Sequence, residues 1–330
     1  MNWRRYAGLA LGVIVCLGAN TTLAADRYTL GTNPQGTIYY TIGGAIAAAL
    51  QDKLGKQVTV QPYSGSSVYL PLIAAGEVSM GLNSSLDLAA ARAGEFGQPL
   101  TGLRVLARLW PLQVALVTRN DLGITKVSQL AGKRVVTELT ALKAMSDLSK
   151  TMLRLSGLDV GDVRTVSVAG LGPGMEQLTE GRVDATLIAV GIPLAKQAHA
   201  TIPRGIRYLD IDGKGATSEK AEELQPGTYL VEVKPSPRLP EVTEPVTVTA
   251  FDVFLTVSAK MPDADARAIV SALFDSLPQL KKSYPPLGGA SQERLSAPSN
   301  TVPYHPGAAE FFKSKNMWSE QNQARRQKLQ

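Results

Sequence analysis

The amino-acid sequence predicts an α/β protein organised as two lobes, and three observations carry that expectation. Strand-like runs alternate with helix-like runs along most of the chain, the pattern of α/β units around a largely parallel sheet. One phrase of the pattern occurs twice, as LIAAGEVSMGLN (72–83) and QLTEGRVDATLI (177–188). Each is a helix end, a glycine suited to a left-handed stop, a charged residue, then valine opening a buried strand. The two copies read as two lobes of similar design, or as two instances of a common helix–strand junction. Finally, roughly 300 residues follow the N-terminal leader, more than one compact core holds.

The leader comes first in the chain. Arg4 and Arg5 precede an apolar run (6–19), and Thr22-Leu23-Ala24 is a small-x-small cleavage site. Residues 1–24 therefore read as a secretory signal peptide, cut after Ala24 and too short to remain as an anchor. The single cysteine, Cys16, lies inside it, and Val15 is not the small residue that lipid attachment at Cys16 would want. The mature chain then lacks cysteine, which fits a bacterial periplasmic protein stabilised by its core rather than by disulfides. Of 34 basic and 28 acidic residues, removing Arg4 and Arg5 leaves 32 against 28, a mild and scattered +4. Basic residues do not cluster with aromatics, which argues against nucleic acid. The run RRQK at 325–328 reads as a solvated, frayed end, and no later apolar run is long enough to cross a membrane.

Residues 27–32 read as a first strand, NPQG (33–36) as a turn, and the following segment as a helix stopped by Gly55. Alternation at 57–61 gives a second strand. SGSS (64–67) caps a helix reaching Ala75, 78–83 is a third strand, and Ser84 and Ser85 open a helix reaching Ala93. Two apolar strands follow, 103–110 and 112–118. The grammar then restarts: a short helix at 127–132, strands at 133–137, 163–168 and 183–190, helices at 142–155, 174–180 and 193–200. Beyond Lys214 the chain reads as irregular and proline-rich, before a long strand (246–258), an amphipathic helix (262–282) and a last helix (308–315). A long late strand suits a chain returning to its first lobe. The expected division is 25–118 plus 246–330 for the first lobe, with 119–245 inserted as the second between two crossover strands.

Little in this sequence suits bond-making chemistry. His199 and His305 are far apart, no metal-ligand spacing occurs, and no Gly-x-Ser-x-Gly elbow, P-loop or Gly-x-Gly-x-x-Gly is present. GLGPG (170–174) fits a plain helix start, given Pro173. The reading is a non-enzyme with no catalytic residue, metal or cofactor. Polar loops feeding helices, by contrast, recur: GTIYYT (36–41), SGSS (64–67), NSS (83–85) and TELTALK (137–143). In an α/β sheet such loops lie at the carboxyl ends of strands, where the crevice forms. Helix starts present unpaired N–H groups and a positive dipole end, so several aimed at one crevice make an anion site. Ordinary capping explains any one of these loops. It does not explain Tyr39 and Tyr40, which are not caps. The candidate ligand contacts are Thr32, Asn33, Thr37, Tyr39 and Tyr40, then Ser64, Ser66 and Ser67, then Asn83 and Ser84. The second lobe adds Thr137, Thr140, Ala141 and Lys143.

Across 27–318 the chain resembles the TAXI-type solute-binding proteins of TRAP transporters. The matching stretches are GTNPQGTIYYTIGGAIAAAL, VQPYSGSSVYLPLIAAGEVSMGLNSS, LARLWPLQVALVTRNDLGITKVSQLAGKRV, EGRVDA and VPYHPGAAEFFKSKNMW. The resemblance implies a two-lobe, venus-flytrap fold of the type II-like periplasmic-binding-protein kind. It implies a small organic solute, commonly a carboxylate or amino acid, delivered to a fused TRAP membrane permease driven by a cation gradient. A monomer is expected. A ligand-sensing subunit, presenting a solute to a membrane kinase or chemoreceptor, remains the alternative. The chain departs from the family where many members carry a Gly-Ser-Gly-Thr-like cap. Here LTALKAM (139–145) stands, so that glutamate is not carried over as ligand, and Lys143 is either a compensating cation or a solvated helix residue.

Overall fold

The computed structural model describes residues 27–330; the signal peptide, its Ala24 cleavage site and Cys16 lie outside the described residues. The described chain opens with β1 (Arg27–Thr32), α1 (Ile38–Leu54), β2 (Gln57–Pro62), α2 (Ser66–Ala75), β3 (Met80–Ser84) and α3 (Ser85–Ala93). Each of the three helices ends on a left-handed glycine, at Gly55, Gly76 and Gly94. α1 runs close over the sheet: a Cβ on Gly43 would sit 2.5 Å from Thr32 Cγ2, so that position admits no side chain.

The chain then leaves through β4 (Leu103–Arg119) and builds β5 (Arg134–Leu139), α4 (Lys143–Leu155), β6 (Arg164–Val168), α5 (Leu171–Thr179), β7 (Thr186–Ala189), α6 (Pro193–Thr201) and β8 (Ile206–Tyr208). Next come α7 (Ser218–Leu224), β9 (Thr228–Val233) and the returning β10 (Val246–Ser258). Last are α8 (Asp263–Ser283), α9 (Pro306–Ser314) and α10 (Glu320–Leu329). The main sheet has the order β2-β1-β3-β10-β4-β7, with β8 beside β4 and β9 beside β10. A second ladder pairs β5 with β6, and a bridge from Val135 to Ala185 ties it to the residue before β7.

Four features differ from the sequence reading. The main sheet is parallel on one flank only, β1 with β2 and β3, while the other flank, β7 and β8 on β4, is antiparallel, and the parallel pair β5 and β6 forms its own ladder. The centre of the main sheet is antiparallel, because β10 returns against β3, β4 and β9. Segments 103–110 and 112–118 form one 17-residue strand, not two. Pro111 does not break it: opposite Pro111, Asp252 directs its N–H to Ser85 Oγ (3.3 Å), away from β4. The missing proline N–H therefore forfeits no bond to β10.

The third difference is in the proline-rich stretch, where TYLVEV forms β9 on the open edge of β10. The fourth is the basic C-terminal run, which is not frayed. It belongs to α10, capped by Ser319, with the Asn322 amide donating to Ser296 O and Arg325 bonded to Asn300 O (2.6 Å) and to Glu222 of α7 (2.9 Å). Where the long strands cross, Arg108 of β4 donates twice to Asp252 Oδ1 of β10 (2.9 and 2.7 Å), and the Tyr229 and Ser299 hydroxyls complete the carboxylate's shell. A pair buried this deeply holds two strands in register only while all its partners are present.

A candidate ligand cleft between the lobes

The carboxyl ends of β1, β2 and β3 point the same way, and the helices that follow begin at one rim. Across from them begins α4, after β5. The two rims touch: a Cβ placed on Gly65, before α2, would lie 3.8 Å from Ala141 O, before α4. Loops 64–67 and 137–143, nominated from the sequence, therefore face one another.

The four helix starts are not alike. Thr37 caps α1, accepting the Tyr40 N–H (3.3 Å) and donating to Pro34 O (2.7 Å). Ser84 caps α3, accepting the Asp87 N–H (3.0 Å) and donating to the Asp87 carboxylate (2.7 Å). α2 starts on Gly65 and α4 on Leu142, and neither has a side-chain cap. The first-turn N–H groups of α2 and α4 thus lack side-chain acceptors at the place where the lobes meet.

Beneath this rim lies a polar floor. Gly31 and Gly81 are paired across β1 and β3, and a Cβ on either would come 2.9 Å from the Tyr69 ring. The two glycines form a flat bed, the ring lies over it, and the Tyr69 hydroxyl reaches Leu82 O (2.5 Å). Tyr39 stands edge-on to Trp110, with centroids 5.8 Å apart. Burial pushes both tyrosine hydroxyls well up from their ordinary value, and the nearby Asp87 charge adds to this. Burial also raises the half-buried Asp87 carboxyl, against the pull of the Ser84 and Ser66 hydroxyls.

Several of these groups have no protein partner. Asn83 is 0% exposed, and neither its amide oxygen nor its nitrogen is bonded; Trp110 Nε1, at 1%, is unbonded too. Buried amides are nearly always satisfied, so a pair of empty ends on one residue marks a place for a ligand or water. Asn33 Oδ1 and Thr137 Oγ1 are likewise buried and unpartnered, Thr137 at a register shift in the β5–β6 ladder.

Among the nominated residues, Tyr39, Ser66 and Ser84 gather around Asp87, Asn83 Oδ1 lies beside Gly81, and Ala141 meets Gly65. Others do not join them. Thr37 is engaged as a cap, Thr32 Oγ1 donates to Asn33 O, and the Tyr40 hydroxyl accepts from Gln35 (3.4 Å). Ser64, Ser67, Thr140 and Lys143 are exposed, and the Thr140 backbone N–H is held by Val168 O. Asp87, Tyr69 and Trp110 were not nominated. Asp87 sits three residues after the cap Ser84 and bonds to it, and Tyr69 and Trp110 are buried, so nothing local sets any of the three apart from ordinary caps and core.

Structural neighbours share the fold at low identity. BugD, a periplasmic binding protein, is 13% identical, with 91% of this chain and 96% of that chain covered and a TM-score of 0.55. MatC from Rhodopseudomonas palustris, with bound malate, is 16% identical over 92% and 99%, with a TM-score of 0.53. A TctC solute-binding protein from Polaromonas is 15% identical over 79% and 86%, with a TM-score of 0.52. Those likenesses establish the two-lobe periplasmic-binding-protein fold. The NMT1-like family profile matches residues 30–315, nearly all of the described chain, and the protein belongs to the NMT1-like family.

Proposed function

We propose that this protein is an extracytoplasmic solute-binding protein of the TAXI type, exported to the periplasm by cleavage after Ala24. It captures a small organic anion between lobes 25–118 plus 246–330 and 119–245, and hands it as a monomer to a fused TRAP membrane permease. One observation carries the reading: the uncapped starts of α2 and α4 approach each other, above an Asn83 whose buried amide has no partner. Two helix N-termini supply N–H donors and positive dipole ends to a carboxylate without an obligatory side-chain cation. The binding of malate by MatC, a protein of the same fold, is in keeping with a carboxylate.

Asp87 narrows the class. A half-buried carboxylate beside the site disfavours a second negative charge and suits an ammonium group. An α-amino acid offers both, its carboxylate to the helix starts and its ammonium to Asp87. The test is a thermal-shift screen of carboxylates, amino acids, sugars and polyamines, followed by calorimetry. Stabilisation by amino acids above plain carboxylates is expected. A neutral sugar or a polyamine that stabilises strongly, with no carboxylate doing so, overturns the anion reading.

A further inference from the structure

At the far end of the first lobe, a cavity of about 510 Å³ is lined by Arg92, Arg104 and Arg326, with Thr101, Pro303 and Pro306 among the residues around them. Its lining contains no aspartate or glutamate. Arg104 lies six residues before Trp110 on β4, roughly 20 Å from the cleft at about 3.3 Å per strand residue. The cavity is therefore separate from the site described above.

The three guanidinium groups come from distant parts of the chain: the last turn of α3, the start of β4 and the last turn of α10. All three are half-buried. Arg104 donates through Nη1 to the carbonyls of Thr101 (2.9 Å) and Leu103 (2.7 Å), which hold it in place and leave its Nε and Nη2 free. Arg92 and Arg326 make no ion pair or side-chain hydrogen bond among the described residues. Of the other arginines, Arg108, Arg119, Arg134, Arg267 and Arg325 are paired with carboxylates, so an unpaired guanidinium is not by itself unusual here, and the shared cavity is what sets Arg92, Arg104 and Arg326 apart. A last-turn arginine complements its own helix dipole, which accounts for Arg92 or Arg326 singly. It does not account for their convergence on a third. Burial first, and then the neighbouring Arg92 charge, lower the Arg104 guanidinium from its ordinary value.

We propose that this cavity is a second binding site, for a phosphate dianion, either free or carried by a small phosphomonoester. A single carboxylate has two oxygens and is filled by two guanidinium forks. A phosphate has enough oxygens for three, and its double charge suits a lining with three arginines and no acidic side chain. The recessed, proline-rimmed shape takes a small molecule rather than a flat protein surface. Binding there ties α10 to the start of β4, so it raises the melting temperature of the whole chain by linkage.

The experiment is calorimetry of the mature chain at low ionic strength, with inorganic phosphate, glycerol phosphate and an acidic peptide as separate titrants. Saturable binding of phosphate or glycerol phosphate is expected, with a rise in melting temperature, and the tighter of the two identifies the natural form. The double variant Arg92→Gln, Arg326→Gln should bind about tenfold or more weakly. Arg92→Lys, Arg326→Lys, which keeps charge but loses the forks, should fall between, and the cleft variant Asn83→Leu should bind as wild type. The proposal is overturned by any of three results: no saturation by either phosphate at millimolar concentration, equal binding by the folded double glutamine variant, or binding of the acidic peptide alone. The last would assign the cavity to a protein partner. Because Asn83→Leu reads the cleft and the arginine variants read the cavity, failure here leaves the cleft reading untouched.

Discussion

α1 and α3 begin as helices in a finished protein begin, with a hydroxyl on the first free N–H groups. α2 and α4 begin without one, and they are the pair that meets across the lobes. The same local device is completed at two starts and left open at two. An exposed helix start can be satisfied by water at little cost, but two open starts facing each other, over a buried amide with no partner, form a positive and under-satisfied place. The difference teaches that hydroxyl-rich loops are poor witnesses by themselves. Thr37 and Ser84 are the better caps by residue type, and capping is what they do.

The sharpest way to break the comparison is to close one open start. Gly65→Asp puts a capping carboxylate before α2, at a backbone angle any residue adopts and with its nearest neighbour 3.8 Å away. The unliganded protein should gain about 0.3 kcal/mol, since glycine is already a fair cap. Affinity for an anionic solute should drop about a hundredfold, as the new carboxylate takes the N–H groups the solute would use and repels its charge. Unchanged affinity by calorimetry would mean that the α2 start does not hold the ligand.

The next effect has two signs. Asn83→Leu removes a buried amide with no partner, so the unliganded protein should gain stability by about 1 kcal/mol. The solute loses hydrogen bonds and should bind about tenfold more weakly. If the Asn83→Leu variant is instead less stable when free and binds solute as wild type does, the amide is structural and is satisfied by water.

Thr37→Ala tests the completed side. It should cost about 1 kcal/mol in denaturant unfolding through loss of the α1 cap, with solute affinity near that of wild type. A large loss of affinity without loss of stability would return Thr37 to the ligand shell.

The smallest effect is the pH response of Asp87. Its carboxyl is raised in the folded state, so its contribution to stability is fully present below its unfolded-state value. That contribution is lost as pH rises through the folded-state value. Asp87→Asn should flatten this part of the melting-temperature profile of the unliganded protein, and should weaken amino acids more than plain carboxylates. An identical profile in the variant would show that Asp87 is not desolvated in solution.

Much of the architecture was legible because it is written locally. Alternating apolar residues at 57–61, left-handed glycines after each early helix, and the small residues of α1 all act over a few positions, and the elements stand where they were expected. The long strands at 103–119 and 246–258 were legible as apolar runs. Their continuity through Pro111 was not, because it depends on where Asp252 sends its N–H. β9 looked irregular because an edge strand beside β10 needs no periodicity of its own once a partner offers a ladder. α10 looked frayed because its anchors, Ser296, Asn300 and Glu222, are far away in sequence.

By itself, then, the amino-acid sequence determined the α/β alternation, the helix stops and the rim loops, since propensity, capping and residue type act within a turn or two. Tertiary structure decided which helix starts stay open, which buried polar atoms lack partners, and that Tyr39, Ser66 and Ser84 come together around Asp87. It also decided that three arginines from separate elements share one cavity. Those are properties of pairs distant in the chain: Gly31 beside Gly81, Gly65 against Ala141, Arg92 near Arg104 and Arg326. Whether a polar group is satisfied depends on every neighbour the fold brings to it, and no local pattern encodes that sum.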